Sequence, residues 1–442
     1  MKDTWRSLAA VCVLVIGVYA YIAQSGLTDS LIPNAADTCY NLLVQGFRAG
    51  QLSLKKELPP GFAQLADPYD PAANVSYRNP QTQIVDLSYY KGRLYLYFGV
   101  TPALILFWPY VALTGHYLFS RQAVTIFCAL GFLATVGLLR ALWRRYFAEV
   151  SVWVVAACAL ALGLATGMPV LLSRCDIHEV AISCGYMLTM LALVAIWCAL
   201  HEPERRCRWL AVASVAYGLA VGARPNLLFG AVILLVPVAQ AWRERQPKSV
   251  PRSTWLSGLM AATGPMALIG LGLMLYNAVR FDSPFEFGTR YQLCGRPQVT
   301  EQLFRLRYFW FNLRVCFLEP AGWSAHFPFV RGIAVPPMPT GHYGAAEAFG
   351  VLTNFPVVWL ALAAPLAWRN RSGQAASNLR WFVTAAALLF GICALTLGFF
   401  MSAAIRYEVE FLPALLLLAA VGILGLERAL TARPLSTPTL LR

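Results

Sequence analysis

Val180–Leu200 reads VAISCGYMLTMLALVAIWCAL, directly after Arg174-Cys-Asp-Ile-His-Glu179. The apolar run carries no charge. As a helix rising 1.5 Å per residue, it is long enough to cross a hydrocarbon layer of about 30 Å. The hexapeptide before it crowds Arg174, Asp176, His178 and Glu179 into one short turn. A charged turn opening onto a charge-free run is a membrane span entered from a polar surface, and this reading decides the fold class.

The same pattern recurs on both sides. Apolar segments at 7–24, 118–139, 151–172, 180–200, 209–223, 226–242, 255–279, 350–368, 381–401 and 411–427 predict ten spans. The first follows Met-Lys-Asp-Thr-Trp-Arg, and Ala23-Gln24-Ser25 looks like a small-x-small cleavage site. With nine spans behind it, a retained signal-anchor is the expected form. The composition agrees. Of 442 residues, 58% are hydrophobic and 13% charged, with mean hydropathy +0.58. A soluble domain carries about 25% charged residues. Disordered chains, coiled coils and ordinary cytosolic enzymes are thereby excluded.

The net charge of +14 reads as topology. With ten spans and the N-terminus inside, the cytoplasmic segments hold Lys2 and Arg6; Arg140, Arg144 and Arg145; and Arg205, Arg206 and Arg208. They also hold Arg243, Arg245, Lys248 and Arg252; Arg369, Arg371 and Arg380; and Arg428, Arg433 and Arg442. Every short loop on that side is basic, as the positive-inside rule requires. If 97–113, short and interrupted by Pro102 and Pro109, also spanned, all later clusters would face outward. It is therefore read as an interfacial or re-entrant helix. The chain becomes a single all-α integral-membrane domain, 1–442, with two large outward loops at 25–117 and 280–349. The expected setting is a bacterial cytoplasmic membrane with both termini inside. Nucleic acid is not an expected partner.

Long ordered loops are usually functional. In the first, 37–50 has amphipathic helical spacing, and 86–98 predicts a hairpin turning at Lys91-Gly92. In the second, Phe304-Arg-Leu-Arg-Tyr-Phe-Trp310 suits an aromatic-belt helix at the lipid surface. The single sequon Asn74-Val-Ser carries no weight. Eleven cysteines are mostly buried hydrophobes by their context. A disulfide among Cys39, Cys175, Cys294 and Cys316 stays open.

No soluble-enzyme motif is present: no Walker A, HExxH, GxSxG or strand-borne GxGxxG. The informative residues are charges at the outer ends of spans, because charge near hydrocarbon is costly and tends to be paired or functional. Asp37 heads the amphipathic helix, as an N-cap or as a reacting carboxylate. Asp176, His178 and Glu179 form either a solvated turn with a local Arg174–Asp176 pair or a polar site of no standard metal spacing. Arg224-Pro225-Asn226 interrupts one long apolar stretch, and Arg224 either snorkels or binds an anion. Arg406 and Glu410 are one helical turn apart, so an intrahelical pair is the alternative to a functional role. With Arg290 and Glu408, these residues all fall on the outer side. Carboxylates and arginines gathered at one face suit chemistry on a phosphate-bearing lipid.

In that layout the chain resembles the polytopic GT-C glycosyltransferases. These include the protein O-mannosyltransferases, the aminoarabinose transferases of lipid A and their bacterial relatives. The local matches are Asp37 with Tyr40, Asp86-Leu-Ser-Tyr-Tyr with Tyr95-Leu-Tyr-Phe-Gly before Pro102, and His178-Glu179. Arg224-Pro-Asn, Arg280-Phe with Phe285-Glu-Phe-Gly-Thr-Arg-Tyr, and Arg406-Tyr complete the set. The chain departs from the better-known members in lacking a soluble C-terminal domain. It also lacks the mannosyltransferases' adjacent acidic pair, because Thr38 follows Asp37.

The resemblance implies an inverting transfer of a sugar from a polyprenyl-phosphate donor to a hydroxyl of a lipid, glycan or protein. It makes Asp37 the base and has Asp176, His178 and Glu179 orient the acceptor or hold a divalent cation. It makes Arg406, Arg224 and Arg290 the phosphate ligands and puts Tyr40 and Tyr89 against the sugar. Metal use differs across the class, so no metal is assigned. A transporter or flippase of a lipid-linked sugar is the alternative. It would favour internal repeats and midplane charges. A subunit that has lost activity comes third.

Overall fold

The computed structural model describes residues 2–26, 32–79, 84–245, 252–296, 302–327 and 329–431. Lys248, Arg433 and Arg442 of the basic clusters lie outside them. Among the described residues, eight helices are long and apolar enough to cross a membrane, the make-up of a multi-pass membrane protein. They are α1 (Lys2–Ser25), α4 (Ser120–Tyr146), the pair α5 (Val152–Leu164) and α6 (Met168–Arg174), and α7 (Ile177–His201). Next comes a 3-10 helix, Pro225–Leu235, that runs on as α9 (Val236–Arg245). The set closes with α10 (Arg252–Phe281), α11 (Gly373–Gly398) and α12 (Leu412–Thr431). Three other helices matter for the scheme: α2 (Cys39–Arg48), α3 (Trp108–Thr114) and α8 (Arg206–Ala223).

The two remaining expected spans take different forms. Segment 209–223 lies within α8, whose first turn carries Arg206 and Arg208. Segment 350–368 becomes a short helical turn followed by a 3-10 helix, Pro356–Trp368. A 3-10 helix rises about 2.0 Å per residue. Its 13 residues therefore reach nearly as far as a much longer α-helix, and pattern-reading cannot foresee the tighter winding. The apolar helix Ala103–Thr114, within the segment 97–113 and its flank, is shorter than the eight and stops at Gly115.

Helix α7 is apolar on every side and buried along almost all of its length, so it stands at the centre. Helix α10 buries little and faces outward along most of its circumference. At one end of the bundle the arginines meet. Arg371, before α11, and Arg428, near the end of α12, lie 5.5 and 5.9 Å over the ring of Phe147. Arg206 at the start of α8 pairs with Glu244 at the end of α9 at 3.1 Å. The starts of α4, α7 and α12 and the ends of α8, α10 and α11 lie at the opposite end, together with both long loops.

Those loops are locked together. In the first, β1 (Ser88–Tyr90) and β2 (Arg93–Tyr95) form the expected antiparallel hairpin. Its turn residues Lys91 and Gly92 both have positive φ, 46° and 79°, the geometry that matches strand twist in a two-residue turn. The second loop joins this hairpin through a Ser88–Gln292 bridge, Leu293 N–H to Leu87 O at 2.8 Å, and Asp86 N–H to Leu293 O at 3.0 Å. Tyr90 and Lys91 both donate to Asp282. The second loop adds β3 (Ala321–Trp323) paired with β4 (Val330–Ile333), and β5 (Gly344–Ala346) paired in parallel with β6 (Ser402–Ala404). In the expected aromatic-belt run, Phe304, Leu306 and Trp310 are exposed, while Tyr308 is buried. Gly99 fastens the first loop to the bundle. A Cβ there would stand 1.8 Å from the carbonyl oxygen of Gly222, so only glycine allows this backbone contact. All eleven cysteines are free, and no disulfide forms among Cys39, Cys175, Cys294 and Cys316.

Candidate active site

Five of the residues singled out from sequence converge at the loop end of α7, although they come from three distant parts of the chain. Cys175, at φ 47°, closes α6 and turns the chain into α7. Asp176 then caps α7: its Oδ1 accepts from Ile177 N–H at 2.7 Å, and its own N–H donates to Glu179 Oε2 at 3.2 Å. This reciprocal box satisfies the first free N–H groups of the helix. Asp176 is exposed and Glu179 fully buried. Arg174 reaches Glu347 of the second loop at 3.2 Å.

Arg224 sits where α8 ends, because the following proline forces it into an extended conformation. Its buried guanidinium donates through Nε and Nη2 to Glu410 Oε1 at 2.9 and 2.5 Å. Glu410 therefore pairs with Arg224 and not with Arg406, the intrahelical alternative weighed from sequence. The physical reason is that residues 405–408 form a single helical turn separate from α12, so the i,i+4 geometry is interrupted. Strand β6, held by β5, delivers Arg406 to the same place. Arg224 and Arg406 stand 5.5 and 5.4 Å from the centroid of one ring, Tyr407. Arg406 has a buried Nε with no hydrogen-bond partner. Its contact with Glu179 is long, 3.9 Å. Glu408 points away and accepts from Phe349 N–H at 3.0 Å. Burial raises its carboxyl well above the usual range. The space lined by Arg224, Glu410, Ile182, Tyr186 and Thr189 is closed to about 10 Å³, room for one water molecule.

The first loop supplies the opposite wall. His178 Nε2 lies 3.8 Å from Asp86 Oδ2, and its ring meets Phe98 edge-on. Asp86 has φ 61°, and its Oδ1 accepts from Gln292 Nε2 at 2.7 Å. Burial raises its carboxyl above the ordinary value, against the opposing pull of the Gln292 bond and of Arg406 and Arg78. Tyr97 lies within the fields of Asp86, Tyr407, Arg224 and Arg406. Sequence reading placed Asp86 in a match but gave it no role. Tyr97 and Tyr407 went unassigned, and Glu410 was weighed only as a partner of Arg406.

The other expected site residues lie elsewhere. Asp37 is exposed and ends a short turn whose cap is Asn34. Thr38, not Asp37, precedes α2, so the N-cap expectation for Asp37 is not met. No hydrogen bond or ion pair to the Asp37 carboxylate occurs among the described residues. Tyr40 is 1% exposed and stacks on Phe107 at 5.2 Å with its hydroxyl buried and unpartnered. It packs into the core and presents no face to a sugar. Tyr89 is half-buried against Phe62 and Tyr69. Arg290 is exposed on the turn Thr289–Tyr291, and no ion pair or ring contact ties it to the cluster among the described residues. Arg280 donates to Leu96 O and Asn277 Oδ1, a structural role. The sequon residue Asn74 is fully buried and bonded to Pro68 and Arg78. No group of three or more metal-ligating side chains occurs among the described residues.

The chain matches no protein-family model, and no curated protein or solved structure is significantly similar to it. The chemistry of the cluster carries the functional argument alone. Two guanidiniums stand around one phenol ring, one bound to Glu410 and the other 3.9 Å from Glu179, and together they concentrate positive charge that can attract an anion. Carboxylates and a histidine beside it supply proton acceptors.

Proposed function

We propose that the protein is an inverting glycosyltransferase that moves a sugar from a polyprenyl-phosphate donor to an acceptor hydroxyl. The site faces the outside of a bacterial cytoplasmic membrane, and both termini lie in the cytoplasm. The observation that carries the reading is Arg406. It is a guanidinium with a buried, unpartnered Nε, beside a second arginine and within reach of carboxylates, at the end of a membrane bundle. An ionised donor without an acceptor is costly inside a protein, and a phosphate oxygen would supply the acceptor.

Neighbouring features favour a lipid-borne phosphate. A groove of about 650 Å³ is lined mostly by apolar side chains, Phe47, Leu52, Val100, Leu104, Trp108 and Tyr276 among them. Thr101 on its wall touches Gly222, two residues before Arg224. A prenyl chain in this groove would bring its phosphate toward the arginines. When the glycosidic bond breaks, charge grows on that phosphate. A fixed guanidinium then stabilises the transition state more than the ground state. The phosphate leaves as a weakly basic anion and needs no strong acid. The acceptor hydroxyl needs a base. The tight packing under the Arg224–Glu410 pair favours this reading over transport.

The test uses protein in nanodiscs with a panel of radiolabelled polyprenyl-phosphate hexoses and pentoses and an extract of envelope acceptors. Transfer of label, with the anomeric centre inverted, is the expected result. No transfer from any donor, with polyprenyl monophosphate binding no tighter than polyprenol, would end the reading.

A further inference from the structure

The resemblance puts the base at Asp37, but the geometry points to Asp86: we infer that the Asp86 carboxylate, beside His178, accepts the proton of the acceptor hydroxyl. This deepens the transferase reading and rests on it. Asp37 is exposed and has no partner for its carboxylate among the described residues. No described residue orients it, and a base must be held within hydrogen-bond reach of the proton it takes.

Asp86 is held by its backbone and by one carboxylate oxygen. Its backbone is pinned by the N–H bond to Leu293 O, and its φ of 61° is one that aspartate and asparagine tolerate better than most side chains. Gln292 fixes Oδ1, which leaves Oδ2 free for substrate, 3.8 Å from His178 Nε2. The side chain keeps 27% of its surface open, enough for an incoming hydroxyl to reach it. Left-handed backbone at a non-glycine residue is a strained feature that clusters at functional sites.

The step balances as follows. The acceptor oxygen forms the bond to the anomeric carbon with its lone pair and gives its proton to Asp86 Oδ2. The bond from the anomeric carbon to the phosphate oxygen breaks, and its electron pair leaves with the phosphate beside Arg406. Asp86 later releases the proton to water. Burial makes its carboxylate a better base than an exposed one, in line with the upward shift noted above. The groups that act on it are Asp176 and His178 from α7, Cys39 from α2, Arg406 from the turn after β6, Arg78 and Tyr97 from the first loop, and Gln292 and Tyr343 from the second.

The experiment compares Asp86→Asn, Asp37→Asn and Gln292→Leu in the nanodisc transfer assay, using the donor that wild type accepts. Asparagine tolerates the same φ and keeps an acceptor for Gln292, so Asp86→Asn should fold. Its kcat should fall about 100- to 10,000-fold, the usual range for a lost base, with donor KM unchanged and partial rescue by added formate. Asp37→Asn should stay within about 3-fold of wild type. Gln292→Leu removes a bond that favours the ionised carboxylate, so the acid limb of its kcat profile should move to higher pH. Near-normal turnover in Asp86→Asn, or a collapse in Asp37→Asn alone, overturns the assignment and leaves the transferase intact. If Asp86→Asn does not fold, an unmoved acid limb in Gln292→Leu overturns it. Absence of transfer by wild type from every donor removes both.

Discussion

The buried pair Arg224–Glu410 gives the sharpest quantitative expectation. The two side chains are 10% and 4% exposed. Glu410 carries both guanidinium contacts on one oxygen. At an effective dielectric near 20, unit charges about 4 Å apart attract by about 4 kcal/mol. Removing one partner strands the other in a poorly solvated place, which costs about 3–5 kcal/mol in measured cases. Replacing both with apolar side chains of similar volume is often neutral. Arg224→Met and Glu410→Leu should therefore each destabilise by several kcal/mol, and the double variant should recover most of that loss. The coupling from the cycle should be about 3 kcal/mol. Equilibrium unfolding in mixed detergent micelles reads this directly, and the chain's 13 tryptophans supply the signal. Single variants that each cost under about 1 kcal/mol, or costs that simply add, would refute the pairing. The double variant carries a second readout. It stays folded but lacks Arg224, so its affinity for polyprenyl monophosphate should fall less than that of an Arg406 variant.

Three further outcomes follow from the same geometry. Arg406→Ala should weaken binding of polyprenyl monophosphate by at least about 10-fold, the worth of one charge-assisted contact, while Arg290→Ala stays near wild type; titration in nanodiscs separates the two. Gly99→Val puts a side chain where a Cβ already meets Gly222 O at 1.8 Å, so the first loop should detach and cleavage there by added protease should speed up. A reporter fused after Arg144 should read cytoplasmic, and an outward reading would mean that Ala103–Thr114 crosses after all.

The spans were legible because a charge-free run of sufficient length has few other fates. Their winding was not. Pro225 and Pro356 each open a 3-10 segment, and nothing in hydropathy separates that from an α-helix. The charges of the site were legible for an energetic reason: ionisable groups at span ends are rarely idle. Their partners were not, because partners are set by tertiary contact. Arg406 and Glu410 have helical spacing, yet the chain breaks between them. Arg174 reaches Glu347, 173 residues further along the chain. Asp86 is the clearest case. It lies in a loop with no periodicity, and its environment is made by Gln292 and His178, residues far away in sequence. Asp37 drew attention because it heads a helix, and the structure leaves it in solvent.

The capping of α7 limits where an anion can bind. A helix N-terminus offers free N–H groups and the positive end of a dipole, a ready site for phosphate. Here that site is partly taken. Asp176 Oδ1 accepts from Ile177 N–H and Glu179 Oε2 accepts from Asp176 N–H, which puts two carboxylates where a phosphate would sit. The N-terminus of α7 therefore repels a second anion, and the affinity has to come from the arginines. Arg224 is bound to Glu410, so most of that burden falls on Arg406. A planar guanidinium can give two parallel bonds to phosphate, whereas an ammonium acts as a point charge. Arg406→Lys keeps the charge and loses the fork. If Arg406 binds a phosphate through that fork, lysine should restore only part of the affinity lost in Arg406→Ala. Full restoration would mean that charge alone matters at this position.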